Sequence, residues 1–302
     1  MTPIAITLIL LSALLHAGWN LLGKRVQVSE VSFLIASVAG GLCLLPFTIG
    51  MGLPFGRFPP VVWELLALAG ACETLYYCSL ARAYRSGDIS LVYPLARAIP
   101  VLLVPLLAWA IGQGASLHAG TLLGFVLIVL GCLLLPLRRI RAFHLSRYAD
   151  LCGLMALLAG IGTAGYTVAG DRALAVLRAL PGHPFTPLSA SLAYLQINTL
   201  TNFAGLLLVV PLLRDRRSPP LTATVRPGMA AFMGVVIYLS YGLVLLAMAY
   251  VTNVAYVAAF RQVSIPIGAL LGMMLLREPR YHPRIAGLAL ITGGLILTAL
   301  GH

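Results

Sequence analysis

The sequence predicts an all-α integral membrane protein, with ten transmembrane helices arranged as two inverted five-helix repeats. Three observations carry that prediction. Sixty percent of the 302 residues are apolar and 9% are charged, whereas a soluble domain carries about a quarter charged residues. Apolar runs of about twenty residues recur, each long enough as helix to cross roughly 30 Å of hydrocarbon. Finally, a sequence block occurs twice: Ala83-Tyr84 precedes Ala98-Ile99-Pro100 as Ala249-Tyr250 precedes Ser264-Ile265-Pro266, with sixteen residues from tyrosine to proline both times.

The expected spans are 3–22, 31–52, 61–82, 89–111, 117–136, 149–169, 187–211, 228–249, 253–275 and 284–300. Barrel strands would be shorter and alternating, so helices are expected. The first span superficially resembles a secretory signal. It lacks a basic start, and His16, Trp19 and Asn20 occupy the place of a small-residue cleavage site, so it reads as a retained helix. His16, Asn20 and Lys24 are four apart and form one polar stripe. The second span is apolar. The third carries Glu73 near its middle, on one face with Tyr76 and Tyr77.

The fourth span places Arg97 between Pro94 and Pro100, with Tyr93 on the face of Arg97. A proline inside a helix frees a carbonyl and bends the axis, and interrupted helices near the midplane often line transporter sites. The fifth span holds Gly124 and Gly131, seven apart and therefore on one face. A basic linker, 137–150, follows and divides the chain into halves 1–136 and 151–302.

The sixth span opens the second half. Its Gly165-Tyr166 and Gly170 align with Gly18-Trp19 and Gly23 at one offset, and its small residues suit close packing. The seventh carries Gln196, Asn198 and Asn202, a stripe fit for a wet cavity or for interhelical hydrogen bonds. The eighth is apolar and leads into the second Ala-Tyr block. The ninth carries Arg261 five residues before Pro266, and the tenth repeats the seven-residue glycine spacing at Gly287 and Gly294. The two glycine pairs predict packing by the fifth and tenth spans, within the subunit or in a homodimer. An odd number of helices per half inverts the second repeat.

Charge placement sets the orientation. With the N-terminus outside, the inner ends carry Lys24, Arg25, Arg82, Arg85, Arg138, Arg139, Arg141, Arg147, Arg214, Arg216, Arg217, Arg226, Arg277, Arg280 and Arg284. The outer loops keep Arg57, Arg172 and Arg178, fifteen against three. That bias puts the basic loops in the cytoplasm and both termini outside. The net charge of +12 thus sits beside anionic lipid and is not a nucleic-acid footprint. Cys43, Cys72, Cys78, Cys132 and Cys152 all fall in apolar segments with no C-x-x-C pair, so neither a metal site nor a disulfide framework is expected. No nucleotide-binding, H-E-x-x-H or G-x-S-x-G motif occurs, which argues against an ATPase and an intramembrane hydrolase.

Arg97, Arg261 and Glu73 are the charges set deep in apolar spans. Each arginine lies about 12 Å inside its helix, close to the midplane. They are not strict equivalents, since Arg261 aligns with Leu95. The expected substrate site comprises Arg97, Arg261, Glu73, His16, Trp19, Asn20, Tyr77 and Tyr93, with Pro94, Pro100 and Pro266 as kinks. Guanidinium groups hold a carboxylate bidentately. Glu73 would meet an amine or carry a coupling proton. Its structural alternative is an ion pair with Arg97 or Arg261.

Ten helices in two halves, Leu15-His16-Ala17-Gly18-Trp19-Asn20, the paired Ala-Tyr…Ile-Pro blocks and the stretch from Leu276-Arg277-Glu278-Pro279 through Gly294 resemble the drug/metabolite transporter superfamily, in its EamA-type branch. The resemblance covers nearly the whole chain. It implies alternating access around a central cavity in a bacterial inner membrane, no cofactor and no catalytic residue. The function expected is secondary transport of a small polar metabolite, an amino acid or related amphoteric or anionic solute, with export favoured. Proton coupling, exchange and uniport stay open, and the expected partners are the solute and the lipid bilayer. The competing expectations are a small-lipid flippase on the same fold and a non-transporting membrane protein.

Overall fold

The computed structural model describes residues 1–23, 29–86, 89–112, 118–139, 150–213, 225–275 and 281–300, and within them not the side chains of 20–23, 86, 89–93, 272 and 275. Lys24, Arg25, most of the 137–150 linker, Arg277, Glu278 and the side chains of Asn20 and Tyr93 therefore lie outside the described residues. All regular structure among the described residues is helical. In chain order the helices are α1 (Pro3–Gly23), α2 (Glu30–Gly50), α3 (Pro60–Ser86), α4 (Ile89–Ala110), α5 (Ala119–Leu134), α6 (Leu151–Arg178), α7 (Pro187–Leu213), α8 (Pro227–Ala247), α9 (Val254–Phe260), α10 (Ser264–Leu275) and α11 (His282–Leu300).

Each expected span coincides with helix, and the ninth is split into α9 and α10 by a 3₁₀ turn at Arg261–Val263. Among the described residues seven helical stretches, counting Val254–Leu271 as one, are long and apolar enough to cross a membrane, and Pro3–Trp19, Pro94–Ala110 and Ala119–Leu134 are shorter apolar helices. The chain thus has the makings of a multi-pass membrane protein. Leucines such as Leu208 and Leu212 lie exposed on α7, an arrangement that suits lipid rather than water.

Local chemistry marks several helix starts. Ser29 and Ser32 form a reciprocal capping box at α2, Asp150 accepts the Gly153 N–H at 2.8 Å before α6, and Asn253 does the same for Ala255 at 2.8 Å before α9. Such side chains satisfy amides that the first helical turn leaves without partners.

Two helices overrun their expected ends. Arg85 belongs to α3, past the expected end at 82, and Arg172 and Arg178 to α6, past 169, so these three are helical rather than loop residues. Arginine permits the overrun because its apolar stem follows the helix while its head reaches polar surroundings. Arg85 makes a two-pronged ion pair with Glu30 at the start of α2. Arg82 donates to the Leu213 carbonyl at 3.4 Å, so the ends of α2, α3 and α7 are tied together.

The packing has a regular pattern. α1 lies on α8 and α6 on α3; α2 lies on α8 and α7 on α3; α4 lies on α6 and α10 on α1. α2 meets α7, α5 meets α11, and α4 meets α9. The expected glycine seam joins α5 to α11 within the chain. A Cβ on Gly131 would lie 2.6 Å from the Gly287 carbonyl oxygen, and one on Gly294 would lie 2.6 Å from the Gly124 carbonyl oxygen. The seam is antiparallel, because the earlier glycine of each pair faces the later glycine of the other. Gly162 likewise admits the backbone of α3: a Cβ there would lie 2.5 Å from the Cys72 carbonyl oxygen. That close approach brings Tyr166 against Tyr76.

Candidate functional site

Charged and aromatic side chains converge where α3, α4, α6, α7, α8 and the α9–α10 break meet. Glu73 is 3% exposed and accepts a hydrogen bond from the Asn198 amide Nδ2 at 2.7 Å. Among the described residues it has no ion pair within 4.0 Å, so the structural alternative, a pair with Arg97 or Arg261, is not formed. The Arg261 charge nevertheless reaches it through space. Asn198 is fully buried and comes from α7, so one interhelical hydrogen bond orients the carboxyl.

Next to this pair is a second polar knot. Asn202 Nδ2 donates to the Tyr238 hydroxyl at 2.9 Å and to Ser37 Oγ at 3.1 Å, and the Tyr238 hydroxyl donates to Ser37 at 3.2 Å. Three helices, α2, α7 and α8, are joined by it. Asn198 and Asn202 are thus interhelical ties, not members of an open wet stripe. The physical reason is burial: an amide in the core requires partners.

The expected site residues fall into three groups. Tyr77 is buried, with its ring 4.3 Å from that of Phe33 by centroids and 5.0 Å from that of Tyr76. Trp19 is also buried and donates from its indole N–H to His16 Nδ1 at 3.2 Å, so these two residues of α1 partner each other. Both arginine charges reach His16.

Arg97 is 8% exposed. Its Nη2 donates to the backbone carbonyl of Arg261 at 2.7 Å and to Ser264 Oγ at 2.6 Å. The Arg261 guanidinium points to Tyr166, whose hydroxyl is 3.4 Å from Nη2. The structure therefore brings the two arginines together at one place but uses them differently.

The expected kinks also differ. α4 continues as a single helix through Pro94, Pro100 and Pro105. The chain around Pro266 is interrupted. Pro266 has no N–H to offer the Gln262 carbonyl, and the chain tightens to 3₁₀ just before it.

Sequence reasoning undervalued Tyr166 and missed Tyr241. Tyr166 stacks edge-on with Tyr241 at 5.5 Å and lies 6.0 Å from Tyr76. Its alignment with Trp19 was the available signal. Tyr241 had a weaker one, as part of the polar patch Tyr238-Leu239-Ser240-Tyr241 in an otherwise apolar helix. A narrow cavity opens beside Tyr76 and Tyr166, lined by these two with Leu80, Tyr84, Ala96, Arg97 and Thr163; Glu73 and Arg261 are not among its walls. Its polar lining is three tyrosine hydroxyls, the Thr163 hydroxyl and one cation, Arg97, among apolar side chains. No group of three or more His, Cys, Asp or Glu residues able to hold a metal occurs among the described residues.

No family model matches the sequence, and no curated protein matches it. The fold has a solved counterpart. A chain described only as "Crystal structure of protein" matches with a TM-score of 0.72 at 16% identity, over 99% of this chain and 98% of that one. That likeness shows the fold.

Proposed function

We propose that the chain is a secondary transporter of the drug/metabolite transporter type, EamA-like, that moves a small amphoteric solute such as an amino acid out across a bacterial inner membrane. Its ten spans form two inverted five-helix repeats, with both termini outside the cytoplasm. Supporting the inversion, the helix pairings keep their pattern when α1 exchanges with α6, α2 with α7, α3 with α8, α4 with α9–α10 and α5 with α11. The antiparallel glycine seam obeys the same exchange.

One observation carries the transport reading. A buried carboxyl, Glu73, and two guanidinium groups, Arg97 and Arg261, gather with Tyr76, Tyr166 and Tyr241 at the junction of the two halves. Charges this deep are costly in an apolar bundle and occur mainly where they serve a solute path. The arginine pole suits a carboxylate and Glu73 suits an ammonium group, so a solute with both ends is matched best.

Thermal unfolding of the purified protein against a panel tests this. The panel holds the common amino acids, simple carboxylates, simple amines and short-chain lysolipids. A ligand at a hundred times its Kd stabilises the folded state by about 2.7 kcal/mol. Amphoteric compounds are expected to raise the midpoint, and Arg261→Ala and Glu73→Gln are expected to remove the rise. Stabilisation by lysolipids alone, or undiminished stabilisation in both variants, overturns the proposal.

A further inference from the structure

We infer that Arg97 is a positioning residue: reaching across from α4, it fastens the break between α9 and α10 and thereby sets where the Arg261 guanidinium stands. That the placed guanidinium meets solute rests on the transporter reading; the positioning itself does not.

In a continuous α-helix the Arg261 carbonyl would accept from residue 265 and the Gln262 carbonyl from residue 266. Residue 266 is proline and has no N–H. The proline strips the Gln262 carbonyl, and the turn tightens so that the Ser264 N–H reaches the Arg261 and Gln262 carbonyls. Three donors converge on the Arg261 carbonyl: the Ser264 N–H, the Ser264 hydroxyl at 2.9 Å and Arg97 Nη2 at 2.7 Å. Arg97 also holds Ser264 Oγ at 2.6 Å, so it grips both sides of the turn.

The consequence for Arg261 is geometric. Its backbone carbonyl and side chain hang from one Cα. Fixing the backbone there sets the direction of the Cα–Cβ bond, from which the side chain reaches Tyr166. The rigid planar fork of Arg97 gives this tie a defined angle as well as a length. Arg97 lies in the first half of the chain and Arg261 in the second, so the tie also sets one half against the other.

Phenylglyoxal, which modifies accessible guanidinium groups, tests the inference without any solute. Modification of Arg261 is followed by peptide mass spectrometry. Arg178, half-buried on α6, reports general loosening. In Arg97→Met the Arg261 rate is expected to rise about fivefold, the effect of roughly 1 kcal/mol of lost restraint. Ser264→Ala should give about a twofold rise, since it removes one of the donors. In Arg97→Lys, which keeps the charge but not the planar fork, the rise should be smaller than in Arg97→Met, about twofold. The Arg178 rate should be unchanged throughout.

An unchanged Arg261 rate in folded Arg97→Met overturns the inference, as does a rise matched by Arg178. Should Arg97→Met yield no folded protein, Arg97→Leu, which also removes the donor, takes its place with the same reading. A rate that follows Arg97 in a protein no panel compound stabilises leaves the positioning intact and removes the transport reading. A stabilising compound with an Arg261 rate indifferent to Arg97 does the reverse.

Discussion

Two duplicated sequence blocks meet opposite fates in this molecule. The seven-spaced glycines of α5 and α11 face each other in a seam that treats both copies alike. The proline blocks diverge: α4 carries three prolines and stays whole, while the stretch with the second block carries Pro266 and breaks into α9 and α10. The number of prolines therefore does not decide where a helix opens. What distinguishes the second copy is a set of donors, Arg97 and Ser264, placed to take over a carbonyl at the break. Symmetric contact suffices for packing. An amphoteric solute has two unlike ends, and the asymmetry falls at the site proposed to read it.

The largest effect should come from attacking the symmetric seam. Gly131→Leu places its Cβ within 2.6 Å of a backbone oxygen that no rotamer change can move. Overpacking of this kind costs about 1–3 kcal/mol, and the thermal midpoint in detergent should fall accordingly. Gly293→Leu, one residue from the seam with open space before it, should stay within about 0.5 kcal/mol of the native protein. Equal losses in the two variants would mean that the seam is not what joins α5 to α11.

The asymmetric copy should respond in function more than in stability. Pro266→Ala returns an N–H to the Gln262 carbonyl and lets the helix close. Affinity for a stabilising amphoteric compound is then expected to fall about tenfold, or 1.4 kcal/mol, by titration of the thermal midpoint. Pro100→Ala should leave that affinity within about twofold, because α4 is already continuous there. Matching losses at both prolines would erase the distinction between the copies.

The smallest effect concerns the aligned aromatics. Trp19 bonds to His16 of its own helix, whereas Tyr166 reaches Arg261. Tyr166→Phe should weaken the same ligand about threefold, in line with the roughly 0.6 kcal/mol typical of an intramembrane hydrogen bond. Trp19→Phe should not change it measurably. A larger loss at Trp19 than at Tyr166 would reverse this assignment.

Much of the candidate site was legible because charge is conspicuous in apolar sequence. Glu73, Arg97 and Arg261 stand out for that reason alone, and their helices could be placed from run length. The partners of these residues were not legible. Glu73 bonds to Asn198, 125 positions away, and Arg97 bonds to a carbonyl 164 positions away. Sequence spacing says nothing about contacts between helices so far apart. The overrun of α3 and α6 was hidden for a related reason, since arginines read as loop markers yet continue a helix well.

The sequence by itself determined the helical class, the approximate position of each span and the glycine faces that α5 and α11 offer for packing. These follow from hydrophobic run length and from the 3.6-residue period, which are local properties of the chain. Only the tertiary structure decided which proline breaks its helix, which arginine grips backbone and which tyrosines gather around the other. A buried carbonyl or carboxyl takes whichever donor the packing delivers, and that donor comes from a distant helix.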